Sequence, residues 1–227
     1  MRYLTIFSLI IFPTFFYGQI HYRVSADFSI KESNGKEESL IAGKIYYDLQ
    51  NDILVYDIFF PEKVDWVVHD TSFFMFTSND VERYKIPKIN SENILHLSLT
   101  NSLNDYGLMN SGLYKLVESI NEKELLISTY EPKTTELRKH LGKIIISLKE
   151  GRFNGIVFFD EEEDLIKKII VQEYQIKRGV VLPNKIIEVN YTNNSNEIYK
   201  LTTFSNFKLN EKDNEQFYNY NINKFNN

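Results

Sequence analysis

Apolar and polar side chains alternate in the stretch that begins at residue 22. The apolar positions are Tyr22, Val24, Ala26, Phe28 and Ile30, and Arg23, Ser25, Asp27, Ser29 and Lys31 stand between them. Successive side chains of an extended chain point to opposite faces, so this spacing gives one apolar and one polar face. It predicts a β-strand with one buried side and one solvated side.

Strand-like segments recur along most of the remaining chain, separated by turn-forming residues such as Ser33-Asn34-Gly35-Lys36 and Glu150-Gly151-Arg152. Further strands are predicted at residues 40–49, 53–60, 66–69, 73–77, 114–120, 124–130, 143–149, 155–160, 166–176, 185–192 and 198–209. Short turns between successive strands favour hairpins. The pattern therefore predicts a mainly β protein, built as a meander-like antiparallel sheet of roughly a dozen strands.

Two segments have helical spacing instead. Ser91 is a candidate N-cap, and Leu95, Leu99 and Leu103 follow at intervals of four residues, which places them on one face of a helix. A second, weaker helix is predicted over residues 134–141.

The N-terminus has the pattern of a secretory signal. Arg2 precedes an apolar run over residues 4–16, and Gly18 precedes a polar start at Gln19. The run is short for a membrane span and contains Pro13. A buried N-terminal strand is the alternative. We predict a signal peptide over residues 1–18 and an exported protein without a lipid anchor, since no cysteine stands at the cut.

The remainder, residues 19–227, reads as a single domain. No repeat, low-complexity linker or shift of composition marks a boundary within it. Its C-terminal tail is rich in Asn, but Phe217, Tyr218, Tyr220 and Phe225 indicate that part of this tail docks on the domain.

Composition excludes several function classes. The formal charge is −5, from 26 basic and 31 acidic residues, which disfavours nonspecific binding to nucleic acid. Cysteine is absent, so there are no disulfides, thiol nucleophiles or cysteine-ligated zinc sites. Aromatic residues make up 15% of the chain.

No catalytic or cofactor motif stands out. His21, His69, His96 and His140 are dispersed without metal-ligand spacing. The carboxylate run at residues 160–164 lacks the spaced oxygens and glycine of a calcium loop, and a solvated hairpin turn explains it better. The sequence therefore predicts no cofactor, no metal and no enzymatic activity. A secreted hydrolase remains as a minor alternative without a nominated nucleophile.

Many predicted strands carry large apolar residues at consecutive positions, as in the stretches 53–60, 73–76, 144–146 and 157–159. A sheet that is apolar on both faces needs cover on both faces, or it lines a cavity. With one good helix to provide cover, an apolar cavity of lipid size is the favoured interpretation. The alternative is a helix that fills a curled sheet completely.

The order of these elements resembles the bacterial lipoprotein-carrier family of LolA and LolB over about residues 22–210. The most telling stretch runs from Val55 to Pro61 and continues with the hairpin from Trp66 to Phe76. Two later stretches also resemble the family, a strand that ends in Pro132-Lys133 and a Pro-containing strand at Val181–Ile186. The resemblance implies a half-open β-barrel of about 11 strands, covered by one to three short helices.

The chain also departs from that family. Gln50-Asn51 stands where the carrier has the Arg-Pro that helps to hold its closed, empty state. The long N-terminal helix of the family is missing, and the lack of cysteine argues against the anchored receptor, LolB. A divergent soluble carrier fits better.

The resemblance implies a periplasmic carrier or chaperone that binds acyl chains of lipoproteins or lipids, acts as a monomer, and works between an inner-membrane donor and an outer-membrane acceptor. It places Tyr56 inside the barrel and sets the choice of inward-facing residues. The expected lipid-binding residues are Ile45, Tyr47, Leu54, Tyr56, Ile58, Phe74, Phe76, Ile144, Ile146 and Phe158, with Leu95 and Leu99 on the covering helix. The alternative function is a non-catalytic structural or interaction protein of the cell envelope with a filled β core.

Overall fold

In the part of the chain that the structure describes, thirteen antiparallel strands form one sheet that is not closed. A computed structural model describes residues 22–77, 80–87, 89–192 and 197–220. The predicted signal peptide and Phe225 lie outside the described residues. The predicted mainly β fold with short covering helices is confirmed.

The strands are β1 (Arg23–Ser33), β2 (Glu38–Asp48), β3 (Ile53–Phe60), β4 (Val64–His69), β5 (Ser72–Phe76), β6 (Val81–Lys85), β7 (Tyr114–Glu122), β8 (Leu125–Pro132), β9 (Ile144–Lys149), β10 (Arg152–Phe159), β11 (Leu165–Lys177), β12 (Val180–Tyr191) and β13 (Glu197–Leu209). The helices are a 3-10 turn (Ser91–Asn93), α1 (Ile94–Leu99), α2 (Leu108–Ser111), α3 (Thr135–Arg138) and α4 (Glu215–Tyr218). No helix in these ranges is long and apolar enough to cross a membrane.

The sheet has two meander halves joined by the first and last strands. One half contains β1 to β6 and the other contains β7 to β13, and within each half every strand pairs with the next strand along the chain. The two halves are joined where β1 pairs with β13. The strands β6 and β7 are left at the two open edges. The chain from 86 to 113, here called the covering segment, connects these edges and carries α1 and α2.

The covering segment packs on one face of the sheet, which we call the inner face. Its residues Ile94, Leu95, Leu97, Leu103, Tyr106 and Leu108 join one buried cluster with the inward residues of most strands. This inner cluster is the main core. It buries the apolar face of the sheet that the strand periodicity predicted.

A second buried cluster lies on the opposite, outer face. It contains Tyr46, Ile53, Val55, Val67, Phe74, Phe76 and Tyr218. The ring of Phe217 stacks on Tyr46 with a centroid distance of 4.5 Å, and Tyr218 meets the same ring edge-on at 5.6 Å. The docked part of the C-terminal tail therefore supplies the outer cover of β2 to β5.

Three local differences from the sequence expectations have clear causes. The helical turn after Pro87 is capped by the Asn90 side chain, which accepts from the Glu92 N–H, and not by Ser91. α1 ends at Leu99, so Leu103 follows it in a loop but is still buried. The strand β6 was not predicted, because its sequence is mostly charged and four of its five residues are exposed.

Candidate functional site

The structure brings ten of the twelve expected lipid-binding residues to the inner face. Eight are buried members of the inner cluster, and Leu99 and Phe158 pack against it as partly buried residues. The eight are Ile45, Tyr47, Leu54, Tyr56, Ile58, Leu95, Ile144 and Ile146. Their role in lipid binding stays a prediction.

The placement of Phe74 and Phe76 on the inner face is wrong. Both belong to the outer cluster, and Phe73 is the residue of β5 that packs against the inner cluster. The strand is apolar at consecutive positions, so its sequence carries no signal for which residues face inward. The turn at Asp70-Thr71 sets the register, pairing Phe73 with Val68 and Phe74 with Val67.

The centre of the inner face is filled by the protein itself. Around Tyr56 the remaining cavity is about 20 Å³ and is lined by Ile45, Leu54 and Leu95 among others. That volume accommodates a single water molecule and no acyl chain. Leu95 of α1 lines this cavity and is only 1% exposed.

Charged residues lie beneath the start of the covering segment, beside this small cavity. The hydroxyl of Tyr56 donates to the Glu92 carboxylate, and the Lys200 ammonium lies 3.7 Å from Glu92 Oε1. The Lys167 ammonium lies 3.0 Å from Glu188 Oε1, with Glu188 only 8% exposed. Two acids thus meet two bases on the inner face, so the buried Glu188 and the three partly buried groups each have a partner of opposite charge.

The ionisation of this group follows from its burial and its partners. Burial opposes the charge of Glu188, but Lys200 and Lys167 outweigh it, so the pKa of Glu188 is lowered. Burial also opposes the charge of Lys200, but Glu92 and Glu188 outweigh it and raise its pKa. Burial, with Glu92 beside it, raises the pKa of Tyr56 well above its ordinary value. Glu188 and Lys200 are therefore charged, and the Tyr56 phenol is neutral, near neutral pH.

A second polar contact ties α1 to the β2–β3 turn. The hydroxyl of Tyr47 lies 2.6 Å from His96 Nδ1 and 3.2 Å from Asp52 Oδ1. The pKa of Asp52 is lowered, chiefly by its interaction with His96. Tyr47 is one of the expected lipid-binding residues, and its hydroxyl is engaged in this contact.

The candidate site is a larger apolar cavity at the open side of the sheet. It has a volume of about 340 Å³ and lies between the start of the covering segment and the strands β7, β9, β10 and β11. Its apolar lining is Pro87, Ile89, Leu113, Tyr114, Leu141, Ile144, Phe158, Phe159 and Ile166. Ile144 and Phe158, two of the expected residues, line it; the other expected residues do not.

A close approach of two backbones shapes one wall of this cavity. Gly142 lies between α3 and β9, and a Cβ on it would stand 2.0 Å from the carbonyl oxygen of Asp160. Only glycine permits this contact. The side chain of Thr134 caps α3 by accepting from the Leu137 N–H, which fixes the turn that leads into Leu141 and Gly142.

The polar groups of the cavity are Asn90, His140, Asp160, Glu161 and Lys167. Lys167 is paired with Glu188, and Asp160 Oδ1 accepts from the N–H groups of Glu162 and Asp164 in its own turn. The acidic run at residues 160–164 is therefore a hairpin turn at the rim. Within the described part of the chain, no three metal-ligating side chains are grouped to hold an ion.

A groove of about 440 Å³ elsewhere is a poorer candidate. It lies along β1 and β13 and is lined by several charged residues, among them Asp27, Lys44, Lys177, Lys208 and Glu211. Lys208 is paired with Glu211, and Lys177 donates to the Phe207 carbonyl, so these groups are already engaged. The groove has neither the apolar lining that acyl chains need nor a free catalytic pair.

Sequence reasoning missed most of the cavity lining. Pro87, Ile89 and Leu113 come from the ends of the covering segment, which carry no periodic pattern. Only the close approach of β9 and β10 at Gly142 could have been suspected, since an isolated glycine before a strand indicates a tight backbone contact.

The sequence matches no known protein-family model and no curated protein significantly. Solved structures do match the fold. A LolA superfamily protein from Nitrosomonas europaea has a TM-score of 0.58 at 11% identity, covering 87% of this chain and 90% of that one. A DUF1329 family protein from Desulfovibrio piger has a TM-score of 0.63 at 11% identity, covering 89% and 91%.

A domain assigned as an outer membrane lipoprotein-sorting protein, from Vibrio parahaemolyticus, has a TM-score of 0.59 at 10% identity, covering 86% of this chain and 89% of that one. At such low identity these likenesses establish the fold and not the function. The chain has a LolA-like fold, an open antiparallel sheet whose inner face is covered by short helices.

Proposed function

We propose that this protein is a non-catalytic, exported carrier or chaperone that binds one acyl chain of a lipid or lipoprotein and delivers it toward the outer membrane. The observation that carries the proposal is the apolar cavity of about 340 Å³ at the open side of the sheet. The LolA-like fold supports it, as does the signal-like N-terminal sequence. An inner-membrane donor and an outer-membrane acceptor belong to the same proposal.

The size of the cavity limits the ligand. Pockets for small ligands hold about 300–1,000 Å³, so this cavity is at the lower end and suits a single chain. Each buried methylene contributes about 0.8 kcal/mol, and ten of them about 8 kcal/mol before the costs of ordering. Phe158 and Tyr114 provide rigid ring surface for such contacts. The costs of ordering reduce this gross gain, as a carrier that must release its cargo requires.

A structural or interaction protein of the cell envelope is the second candidate. The filled centre around Tyr56 favours it, because Leu95 leaves a cavity of only about 20 Å³ there. If this candidate is correct, the apolar cavity of about 340 Å³ is a packing defect and binds no ligand.

Lipid binding tests the two candidates directly. The protein is purified from its export compartment, extracted with organic solvent and analysed by mass spectrometry. The delipidated protein is then titrated with a fluorescent C12 amphiphile. The carrier proposal expects recovered lipid and saturable binding at one site. No recovered lipid together with no binding would reject it in favour of the second candidate.

Two substitutions locate the site. Leu141→Asp puts a charge into the cavity wall and is expected to weaken probe binding at least tenfold, because a charge in an apolar site must be desolvated. The control Ile176→Asp changes a side chain that is 58% exposed and remote from the cavity, and should bind normally. Tyr56→Asp should unfold the protein rather than only abolish binding, because Tyr56 lies in a filled core. A folded Tyr56→Asp variant that lost binding would place the site at the centre instead.

A further inference from the structure

The strand β7 leaves one backbone edge without a neighbour in the described sheet, where it is the last strand beside the opening. It is nine residues long, and every residue from Lys115 to Glu122 is exposed. Leu116, Val117 and Ile120 are 44–47% exposed, which is unusual for three large apolar side chains on one edge strand. Free edges of this kind pair readily with another extended chain.

The opposite edge, β6, is protected against such pairing. It has only five residues, and Glu82, Arg83 and Lys85 are charged. The Arg83 guanidinium lies over the Phe74 ring and donates to the Ser72 hydroxyl. Short length and charges are the usual protection of edge strands. β7 is longer and keeps its apolar side chains.

The register of β7 fixes which side chains share a face. Glu118 pairs with Thr129, Ile120 with Ile127 and Glu122 with Leu125 on β8. Glu118, Ile120 and Glu122 therefore alternate with Ser119 and Asn121 and lie on one face. An irregularity between Leu116 and Glu118 ends the regular stretch, so the usable edge is residues 118–122. It presents an acidic, apolar, acidic series.

This series disfavours a second copy of the chain. In an antiparallel pair the residues that oppose each other lie on the same face. If two copies overlap residues 118–122 fully, Ile120 opposes its own copy and Glu118 opposes Glu122 of the second chain. Like charges directly opposite each other destabilise a sheet. A different chain with basic residues at those two positions instead gains two opposite-charge pairs.

We propose that the free edge of β7 is a docking site for an extended peptide segment of another protein. Five successive residues of that segment are basic at the first and fifth positions, apolar at the third, and of any type at the second and fourth. The segment adds as an antiparallel strand, its backbone paired with residues 118–122. Its basic residues meet Glu118 and Glu122, and its apolar residue packs on Ile120. Main-chain hydrogen bonds give the affinity and the alternate side chains give the specificity. This interaction is separate from the acyl cavity.

Two labelled peptides test the proposal by fluorescence anisotropy with the full chain. Their central residues are Lys-Thr-Val-Thr-Lys in one and Glu-Thr-Val-Thr-Glu in the other. The basic peptide is expected to bind at least tenfold tighter at low ionic strength, with the difference shrinking as salt rises. Equal binding of both peptides, or no binding of either, overturns the proposal.

Charge reversal identifies the edge. Glu118→Lys with Glu122→Lys should reverse the preference to the acidic peptide, whereas the control Glu37→Lys with Glu38→Lys, at the exposed β1–β2 turn, should not. Loss of preference in the control variant contradicts a site at β7. Analytical ultracentrifugation tests whether a second copy of the chain occupies the β7 edge. A wild-type dimer that is dissociated by Ile120→Lys would show that β7 pairs with a second copy, and this result would overturn the proposal.

Discussion

The Tyr56 hydroxyl on β3 donates a hydrogen bond to the carboxylate of Glu92, at the start of the covering segment. Tyr56 is at the centre of the inner face, and its ring meets Phe28 edge-on at 5.1 Å. This contact joins the sheet to the chain that fills it. Since Glu92 also lies near Lys200 of β13, the same carboxylate connects both halves of the sheet.

Removing the Tyr56 hydroxyl should weaken this connection without emptying the core. Tyr56→Phe is expected to lower the free energy of unfolding by about 1–2 kcal/mol, because the partly buried Glu92 carboxylate loses one hydrogen bond. Tyr56→Ala should cost about 3–5 kcal/mol, since it also leaves a cavity. Denaturant unfolding measures both. Tyr199→Phe is the matched control, because its hydroxyl bonds to Glu197 at the surface, and it should change stability by less than about 0.5 kcal/mol.

Glu188 should make the fold sensitive to acid. Its pKa in the folded protein lies below its ordinary value of 4.5, so the unfolded chain binds its proton more readily. Its contribution is present above pH 4.5 and is lost as pH falls through the lower folded-state pKa. At pH 7 Glu188→Gln is expected to cost about 2 kcal/mol, because Lys167 loses its ion-pair partner and Lys200 loses one of the carboxylates near it.

Unfolding free energies measured from pH 7 down to pH 3 check this expectation. The difference between wild type and Glu188→Gln should shrink as the pH falls. Glu173→Gln removes the partner of Lys185 at an exposed site and should have almost no effect at any pH. A constant difference across the range would mean that Glu188 stabilises by packing and not by its charge.

The docked tail should be required for stability. Tyr218 is 1% exposed, and Arg23 bonds to Glu215 as well as to Asp48, which holds α4 against β1 and β2. Tyr218→Ala is expected to cost about 3–4 kcal/mol. Ending the chain after Asn210 should expose the outer cluster and increase the fluorescence of a hydrophobic dye. Tyr84→Ala, at a half-exposed ring, serves as control and should cost less than about 1 kcal/mol. An unchanged stability of the truncated chain would contradict the docking.

Gly142 should be intolerant of any side chain. Gly142→Ala brings a Cβ onto the Asp160 and Phe159 carbonyl oxygens, at 2.0 and 2.2 Å, so β9 and β10 must shift. We expect a loss of about 2 kcal/mol or more, together with weaker probe binding in the cavity that this contact shapes. Gly35→Ala tests backbone conformation alone, since Gly35 has a φ of +81° and nothing within 4 Å, and should cost about 1 kcal/mol. Equal losses at the two glycines would show that the close approach is unimportant.

The sequence predicted the sheet well because strand periodicity is a local signal. Twelve of the thirteen strands and the helix around Leu95 follow from spacing alone. β6 was not predicted because this charged edge strand has no buried face, so its sequence does not alternate between apolar and polar residues. The docked tail was anticipated from its aromatic residues, and Tyr218 and Phe217 confirm the part that the structure describes.

The site was harder to predict, since it depends on contacts between distant segments. β5 is apolar at four consecutive positions, residues 73–76, so the inward choice of Phe74 and Phe76 had no local basis. No sequence pattern singled out Glu188 and Lys200, although they lie on the inner face, where Glu188 pairs with Lys167 and Lys200 lies near Glu92. The cavity arises where segment ends meet, and no periodicity describes such a junction.

The pairing of β1 with β13 has a consequence for how the protein is made. The backbone N–H of Asn210 donates to the carbonyl oxygen of Arg23, so β1 can pair with its second neighbour only after the chain has been synthesised through β13. Assembly is therefore a late event, and long-range pairings of this kind form slowly. Until then β1 has an uncovered side, and nascent or prematurely ended chains are the form most exposed to aggregation and proteolysis.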